Sequence, residues 1–223
     1  FNRKYSLAVS NGSSAIDVAL NALKLKEGDE VILPSFTIIS CLSAVIRSGA
    51  VPVFCDVDKN TWNMKLKNVE EVFTKKTRAV LMVHTYGLTA EASEIKQFCK
   101  DNSLFLIEDA AEAHGQTYDG IKCGSFGDIS TLSFYANKHI SSGEGGAVMT
   151  DSNEFNSLIK KMRNLDFDNN KRFFHNNLYW NYRISGLQAS LAKSQIKSIE
   201  KIIKYKKEQG KLYENLFKNI RKY

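Results

Sequence analysis

The sequence predicts an α/β protein, a mostly parallel sheet covered by helices on both faces in α/β/α layers. Three observations predict it. Short apolar runs alternate along the chain with segments whose apolar residues recur at helical spacing. The run LFLIED at residues 104–109 is apolar until it ends in two carboxylates, as a strand buried on both faces does. Two prolines in 223 residues, no low-complexity linker and no internal repeat leave residues 1–190 as one large domain.

Leu7 opens a short apolar strand that runs into Asn11, Gly12, Ser13 and Ser14, and the amphipathic pattern beyond predicts a helix over 13–25. A strand at 31–33, a helix at 37–47, a strand at 51–55 and a helix at 66–73 follow. Strands at 78–83 and 104–108 then flank a helix at 91–101. Between the strands at 129–134 and 146–150 there is no helical pattern. Gly143, Gly145 and Gly146 suit a tight connection there, so the last strand is expected to return antiparallel.

Residues 193–223 hold ten Lys or Arg and three Glu, while the rest of the chain balances at 21 of each sign, so the whole net charge of +7 lies in this tail. Apolar residues at helical spacing, with lysines between them, predict a solvated amphipathic helix over 191–223 that leads to a further domain. No nucleic-acid motif accompanies the charge, and no apolar run is long enough to span a membrane, so neither nucleic acid nor membrane is expected as a partner.

Chemistry concentrates at three places. Lys138 lies in SFYANKHISSGEGG, residues 133–146, between a strand end and a glycine-rich turn. A lysine amine can form a Schiff base with an aldehyde cofactor when its surroundings leave part of it neutral, whereas a lone loop lysine is more simply a solvated one. Asp109 changes that balance. It sits at the C-terminal end of a buried strand, where open α/β sheets bind ligands, and an aspartate paired with a pyridine nitrogen keeps such a ring protonated. Gly12, Ser13 and Ser14 form a strand-to-helix turn whose free N–H groups and helix dipole suit a phosphate. The turn lacks both the dinucleotide fingerprint and the GxxxxGK[ST] loop, which argues against a Rossmann-type oxidoreductase.

With these three places in this order, the chain resembles the DegT/DnrJ/EryC1/StrS sugar aminotransferases, which have the aspartate aminotransferase (type I) fold. The resemblance rests on GDEVILPSFT at 28–37, GAVPVFCDVD at 49–58, VHTYG at 83–87, EDAAEAHGQTYDG at 108–120, GSFGDIS at 124–130 and WNYRISGLQAS at 180–190, besides the lysine motif. It implies pyridoxal 5'-phosphate as cofactor, with Lys138 as its covalent anchor and Asp109 beside its ring nitrogen. It implies further that Ser133, with Gly12, Ser13 and Ser14, binds the cofactor phosphate. Glu112 stands where many members carry Gln near the cofactor's 3-hydroxyl, and Asn181 looks like the residue that reaches a partner's phosphate across a homodimer with shared active sites. A cytoplasmic transaminase follows from the resemblance, moving an amino group, usually from glutamate, to a nucleotide-linked keto sugar. The wording of EDAAEAHGQTYDG, NKHISSGEGG and residues 163–190 is most similar to members that convert GDP-4-keto-6-deoxymannose to GDP-perosamine for surface polysaccharide, with dTDP- and UDP-linked substrates as alternatives. Related dehydratases carry histidine at the anchor, and Lys138 argues against that chemistry. A non-catalytic scaffold would be expected to lose Lys138 or Asp109. The family also implies a longer protein, because the chain begins inside the shared sequence and members continue into a smaller C-terminal domain.

The remaining residues fit simpler roles. Ile38 occupies a position where many members place an aromatic ring over the cofactor, and the adjacent Phe36 is expected to point away into the core by strand alternation. Cys41, Cys55, Cys99 and Cys123 have no CxxC spacing and read as small buried hydrophobes, with no metal site expected. His84, at the end of RAVLMVH, suits equally a site-lining and a structural role.

Overall fold

The computed structural model describes residues 1–167 and 173–218. Residues 168–172 of the 163–190 motif and the last five residues of the basic tail lie outside the described residues. Among the described residues nine strands form, in the order β1 (Tyr5–Val9), β2 (Glu30–Pro34), β3 (Val51–Cys55), β4 (Thr77–Val83), β5 (Phe105–Asp109), β6 (Thr117–Tyr118), β7 (Ile121–Lys122), β8 (Ile129–Ser133) and β9 (Gly146–Thr150). The helices are α1 (Gly12–Ala22), α2 (Ile39–Arg47), α3 (Leu66–Val72), α4 (Ala92–Asp101), α5 (Asn153–Met162), α6 (Gly186–Ile196) and α7 (Ile199–Leu216).

Seven strands share one sheet in the order β1-β9-β8-β5-β4-β2-β3. All neighbours are parallel except that β9 runs antiparallel to both β8 and β1, as the glycine-rich connection predicts. Because side chains alternate across a strand, each buried strand feeds two cores. Val31, Leu33, Ala79, Leu81 and Ile107 pack with α1 and α2 on one face, and Ile32, Val80, Met82 and Leu106 pack with α3 and α4 on the other. Eight of the eleven residues of α1 are buried. Its one buried acid, Asp17, is held by Arg47 of α2 at 2.6 and 2.9 Å and by the Tyr182 hydroxyl at 3.1 Å.

Most elements fall within a few residues of their expected bounds. The first helix stops at Ala22 rather than 25, because Lys24 takes the left-handed conformation (φ 53°), which ends a helix. The β6–β7 hairpin was not anticipated, although Asp119-Gly120 at its turn, with φ of 49° and 75°, is a hairpin signal. Helix α5 was also missed, and its start is marked by Ser152, whose Oγ accepts the Phe155 N–H at 3.2 Å. The tail forms two helices rather than one, with α6 starting earlier than expected at a Ser185–Gln188 capping box. No residue of α7 is buried, as expected of a solvated helix. All four cysteines are free and buried, and burial pushes Cys55, Cys99 and Cys123 up to about 12.

His114 is the buried group with the least support. Its ring meets Phe1 and Phe134 edge-on at 6.5 and 6.2 Å, and neither ring nitrogen has a hydrogen-bond partner among the described residues. Burial, with the charges of His139 and Lys138, lowers its pKa to about 4. The unfolded chain therefore takes up this proton first as pH falls, and stability is lost between about pH 6.5 and pH 4. The expected loss is about 3 kcal/mol by linkage. Urea melts at pH 7 and pH 4.5 should show the His114→Leu protein losing less stability than wild type over that interval. Equal losses would mean that His114 is not buried neutral.

Candidate active site

A cleft of about 680 Å³ opens at the C-terminal ends of β2, β4, β5 and β8, against the N-terminus of α1. This is where a parallel sheet gathers loop residues and a helix N-terminus together. Asp109 ends β5 inside the cleft and is buried. Its Oδ1 accepts the Ala111 N–H and the Thr131 hydroxyl, each at 3.1 Å, while among the described residues Oδ2 has only the Cys41 thiol at 3.8 Å. Burial raises its pKa, against the pull of those two donors and the charge of Lys138. A buried carboxylate with a nearly free oxygen is suited to a cationic N–H donor.

Lys138 follows β8 and sends Nζ to Glu112 Oε1 at 2.8 Å. The other Glu112 oxygen accepts the Tyr86 N–H at 2.7 Å, so one carboxylate fixes both the amine and the turn Thr85–Gly87. Burial works to raise the Glu112 pKa, but these two donors outweigh it and the net shift is downward.

At the other end of the cleft, Asn11 caps α1, its Oδ1 accepting the Ser14 N–H at 2.8 Å and the Ser14 hydroxyl at 2.9 Å. Ser14 thus turns its side chain into the cap and is not among the residues that line the cleft. Gly12 and Ser13 do line it, with Ser133 opposite. A Cβ on Gly12 would stand 2.9 Å from Ser133 Cβ, so only glycine lets the strand end and the helix start approach this closely.

Asn181 is exposed and lies outside the cleft of its own chain, its Oδ1 taken by Arg183 Nε at 3.0 Å. His84 borders the cleft, but both nitrogens are committed. Nδ1 accepts the Ala90 N–H at 3.2 Å, so Nε2 carries the proton and donates it to Glu108 at 3.1 Å. The structural role is therefore the one it fills. Phe36 is not in the core. It is 37% exposed and lines the cleft, because residues 35–38 form a bend between β2 and α2 and strand alternation does not apply. Tyr86 and Thr85, missed as site residues, lie in the VHTYG motif that signalled the family.

The family model described as the DegT/DnrJ/EryC1/StrS aminotransferase family matches residues 1–223. The chain belongs to that family. It is 37% identical over 210 residues to a GDP-perosamine synthase of Vibrio cholerae, covering 94% of this chain and 57% of that protein. It is 38% identical over 217 residues to a GDP-perosamine synthase of Escherichia coli O157:H7, covering 97% and 59%. The chain thus spans somewhat more than half the length of these relatives. Among solved structures, an E. coli GDP-4-keto-6-deoxy-D-mannose-3-dehydratase with bound hydrated PLP superimposes with a TM-score of 0.92 at 26% identity, over 98% of this chain and 62% of that one. The α/β architecture expected from the family is therefore the one present.

The Gly12–Ser133 contact has a direct consequence. Gly12→Ala should cost about 1–3 kcal/mol, as overpacking does in a tight interior, and a lowered urea midpoint checks it. Restoring room with Gly12→Ala/Ser133→Gly should recover part of the loss. No recovery would place the cost elsewhere.

Proposed function

We propose that this chain carries the cofactor domain of a pyridoxal-phosphate-dependent aminotransferase that moves an amino group from glutamate to C4 of GDP-4-keto-6-deoxymannose, giving GDP-perosamine. The reading rests on one observation: a single cleft presents an amine, a buried under-bonded carboxylate and a helix N-terminus. These residues fit the cofactor. Gly12 and Ser13 would offer backbone N–H groups, and Ser133 a hydroxyl, to its phosphate. Asp109 would accept an N–H from its ring nitrogen and keep the proton there. When bound, pyridoxal phosphate supplies an aldehyde to which amines condense and a protonated ring that takes up an electron pair.

The protein's own tasks then divide by position. Lys138 Nζ would hold the cofactor covalently and, when its amine is free, would act as the base that takes the proton from the donor's α-carbon and as the acid that delivers a proton to the sugar carbon receiving the amino group. Glu112 holds Nζ at the cleft floor between those duties. Asp109, buried against Thr131, keeps its orientation without help from solvent. Asn181, standing outside its own cleft, would serve the partner subunit's phosphate in a homodimer. The GDP-linked substrate is favoured by the similarity to the two perosamine synthases, and residues 191–223 would lead into the smaller domain that the family implies.

Adding pyridoxal phosphate should produce a visible absorbance band that borohydride converts to a covalent adduct in wild type and not in Lys138→Ala. With glutamate as donor, kcat/KM should be highest on the GDP-linked 4-keto-6-deoxy sugar among GDP-, dTDP- and UDP-linked substrates. Absence of the band in wild type would refute the transaminase reading, and a higher value on a dTDP or UDP sugar would refute the nucleotide.

A further inference from the structure

Phe36, Trp62 and Tyr86 come from three separate segments and meet at the cleft, two of them lining it and all at least a third exposed. Ring centroids lie 4.9 Å apart for Phe36–Trp62, 6.1 Å for Phe36–Tyr86 and 6.3 Å for Trp62–Tyr86, with planes at 86°, 63° and 51°. Three large rings left to water forgo the burial that aromatic residues normally contribute.

Two of them also sit on unfavourable backbone. Trp62 has φ 58° and Tyr86 φ 56°, the left-handed region that bulky residues avoid. A buried side chain holds both in place. Asn63 Oδ1 accepts the Thr85 N–H at 2.7 Å, and its Nδ2 donates to Thr85 O at 3.2 Å and Thr61 O at 2.7 Å. The clamp thus joins the residue after Trp62 to the residue before Tyr86. Glu112 takes the Tyr86 N–H from the other side, and Gln116 Nε2 donates to Gly87 O at 2.8 Å. The rings are fixed, exposed and strained, a combination that core packing does not explain.

The occupant follows from position and shape. The Tyr86 backbone N–H and Lys138 Nζ share the Glu112 carboxylate, and Phe36 and Tyr86 line the same cleft as Lys138, so the rings face the space beside the reacting amine. On the nucleotide-sugar reading, what would lie there is the reacting sugar ring, since the base of a nucleotide sugar is separated from it by a ribose and two phosphates. Rings set steeply to one another make a corner rather than a single flat face, and a corner encloses a methyl group where a flat face stacks a base. We propose that Phe36, Trp62 and Tyr86 form an apolar corner that receives the C6 methyl of a 6-deoxy hexose and discriminates against a 6-hydroxyl. This rests on the nucleotide-sugar reading above.

GDP-6-deoxymannose and GDP-mannose lack the 4-keto group, do not react, and differ only at C6. Calorimetric titration of the pyridoxal-phosphate-loaded protein should show the 6-deoxy compound binding about tenfold or more tightly, the range expected for one apolar group against a hydroxyl in a shaped pocket. Phe36→Ala and Trp62→Leu should bring the ratio close to one while leaving the affinity for GDP alone unchanged, and Trp62→Phe should restore most of it. Trp62 and Trp180 are the two tryptophans of the chain, so in Trp180→Phe the emission of Trp62 should respond to GDP-6-deoxymannose and not to GDP. That readout needs no truncated ring and survives a poorly folded Trp62 variant. An unchanged ratio in the ring variants, or an equal Trp62 response to GDP alone, would overturn the corner while leaving the aminotransferase reading intact. If no GDP compound binds wild type, the functional reading itself fails.

Discussion

The carboxylate of Glu108 is the constraint on which the site depends. It is fully buried, yet it accepts N–H groups from Gly124, Phe126 and Gly127, the Ser130 hydroxyl and the protonated nitrogen of His84. Burial alone would raise its pKa, but the hydrogen bond from His84 and the backbone donors Gly124 and Gly127 outweigh it and keep it lowered. These bonds join the end of β5, the end of β4 and the loop that enters β8. Since neighbours on a strand point to opposite faces, anchoring Glu108 on one side commits Asp109 to the cleft on the other. Gly127 is part of the same device, because a Cβ there would stand 2.6 Å from Ile129 O and 2.9 Å from Glu108 Cβ.

The cleft is organised by the same principle with opposite economy. Glu108 is saturated with donors, whereas Asp109 is left with one oxygen facing little but a thiol. A protein that satisfied both would gain stability and lose a binding site. The contrast between adjacent carboxylates, one a structural hub and one held in reserve, supports the role proposed for Asp109 more firmly than its burial does. His84 falls on the structural side of that division, since its two nitrogens serve Ala90 and Glu108.

Legibility in the sequence followed the range of the interactions. The sheet and most helices could be read because apolar periodicity is local, and the meeting of Asp109, Glu112, Ser133 and Lys138 in one cleft because their motifs are contiguous. Phe36 departs from the expected core position because residues 35–37 bend between β2 and α2, where strand alternation no longer holds. Serine at a helix start serves a ligand or a cap equally well in sequence, and it is Asn11 reaching forward to Ser14 that makes it part of the cap. The aromatic corner was invisible, since its three rings lie on segments 26 and 24 residues apart and meet through Asn63, whose role has no sequence signature. Asp119-Gly120 and Ser152 carried readable local signals for the elements that were missed.

The two ends of the cleft are built to different stiffness. At the helix end the contacts are backbone against backbone or Cβ: Gly12 lies against Ser133, and a Cβ on Gly146 would stand 2.6 Å from Asn11 O and 2.8 Å from Leu132 O. Contacts of that kind have no rotamers to relax, so the N–H groups of α1 are held rigidly to the strands. At the other end Lys138 is held by one ion pair to Glu112, between flexible side chains that are partly open to solvent. An anion bound at the first end would find a preformed cradle, while the amine at the second can leave its partner at little cost. That division suits the two roles proposed for Lys138, attachment point in one half of the reaction and free base in the other.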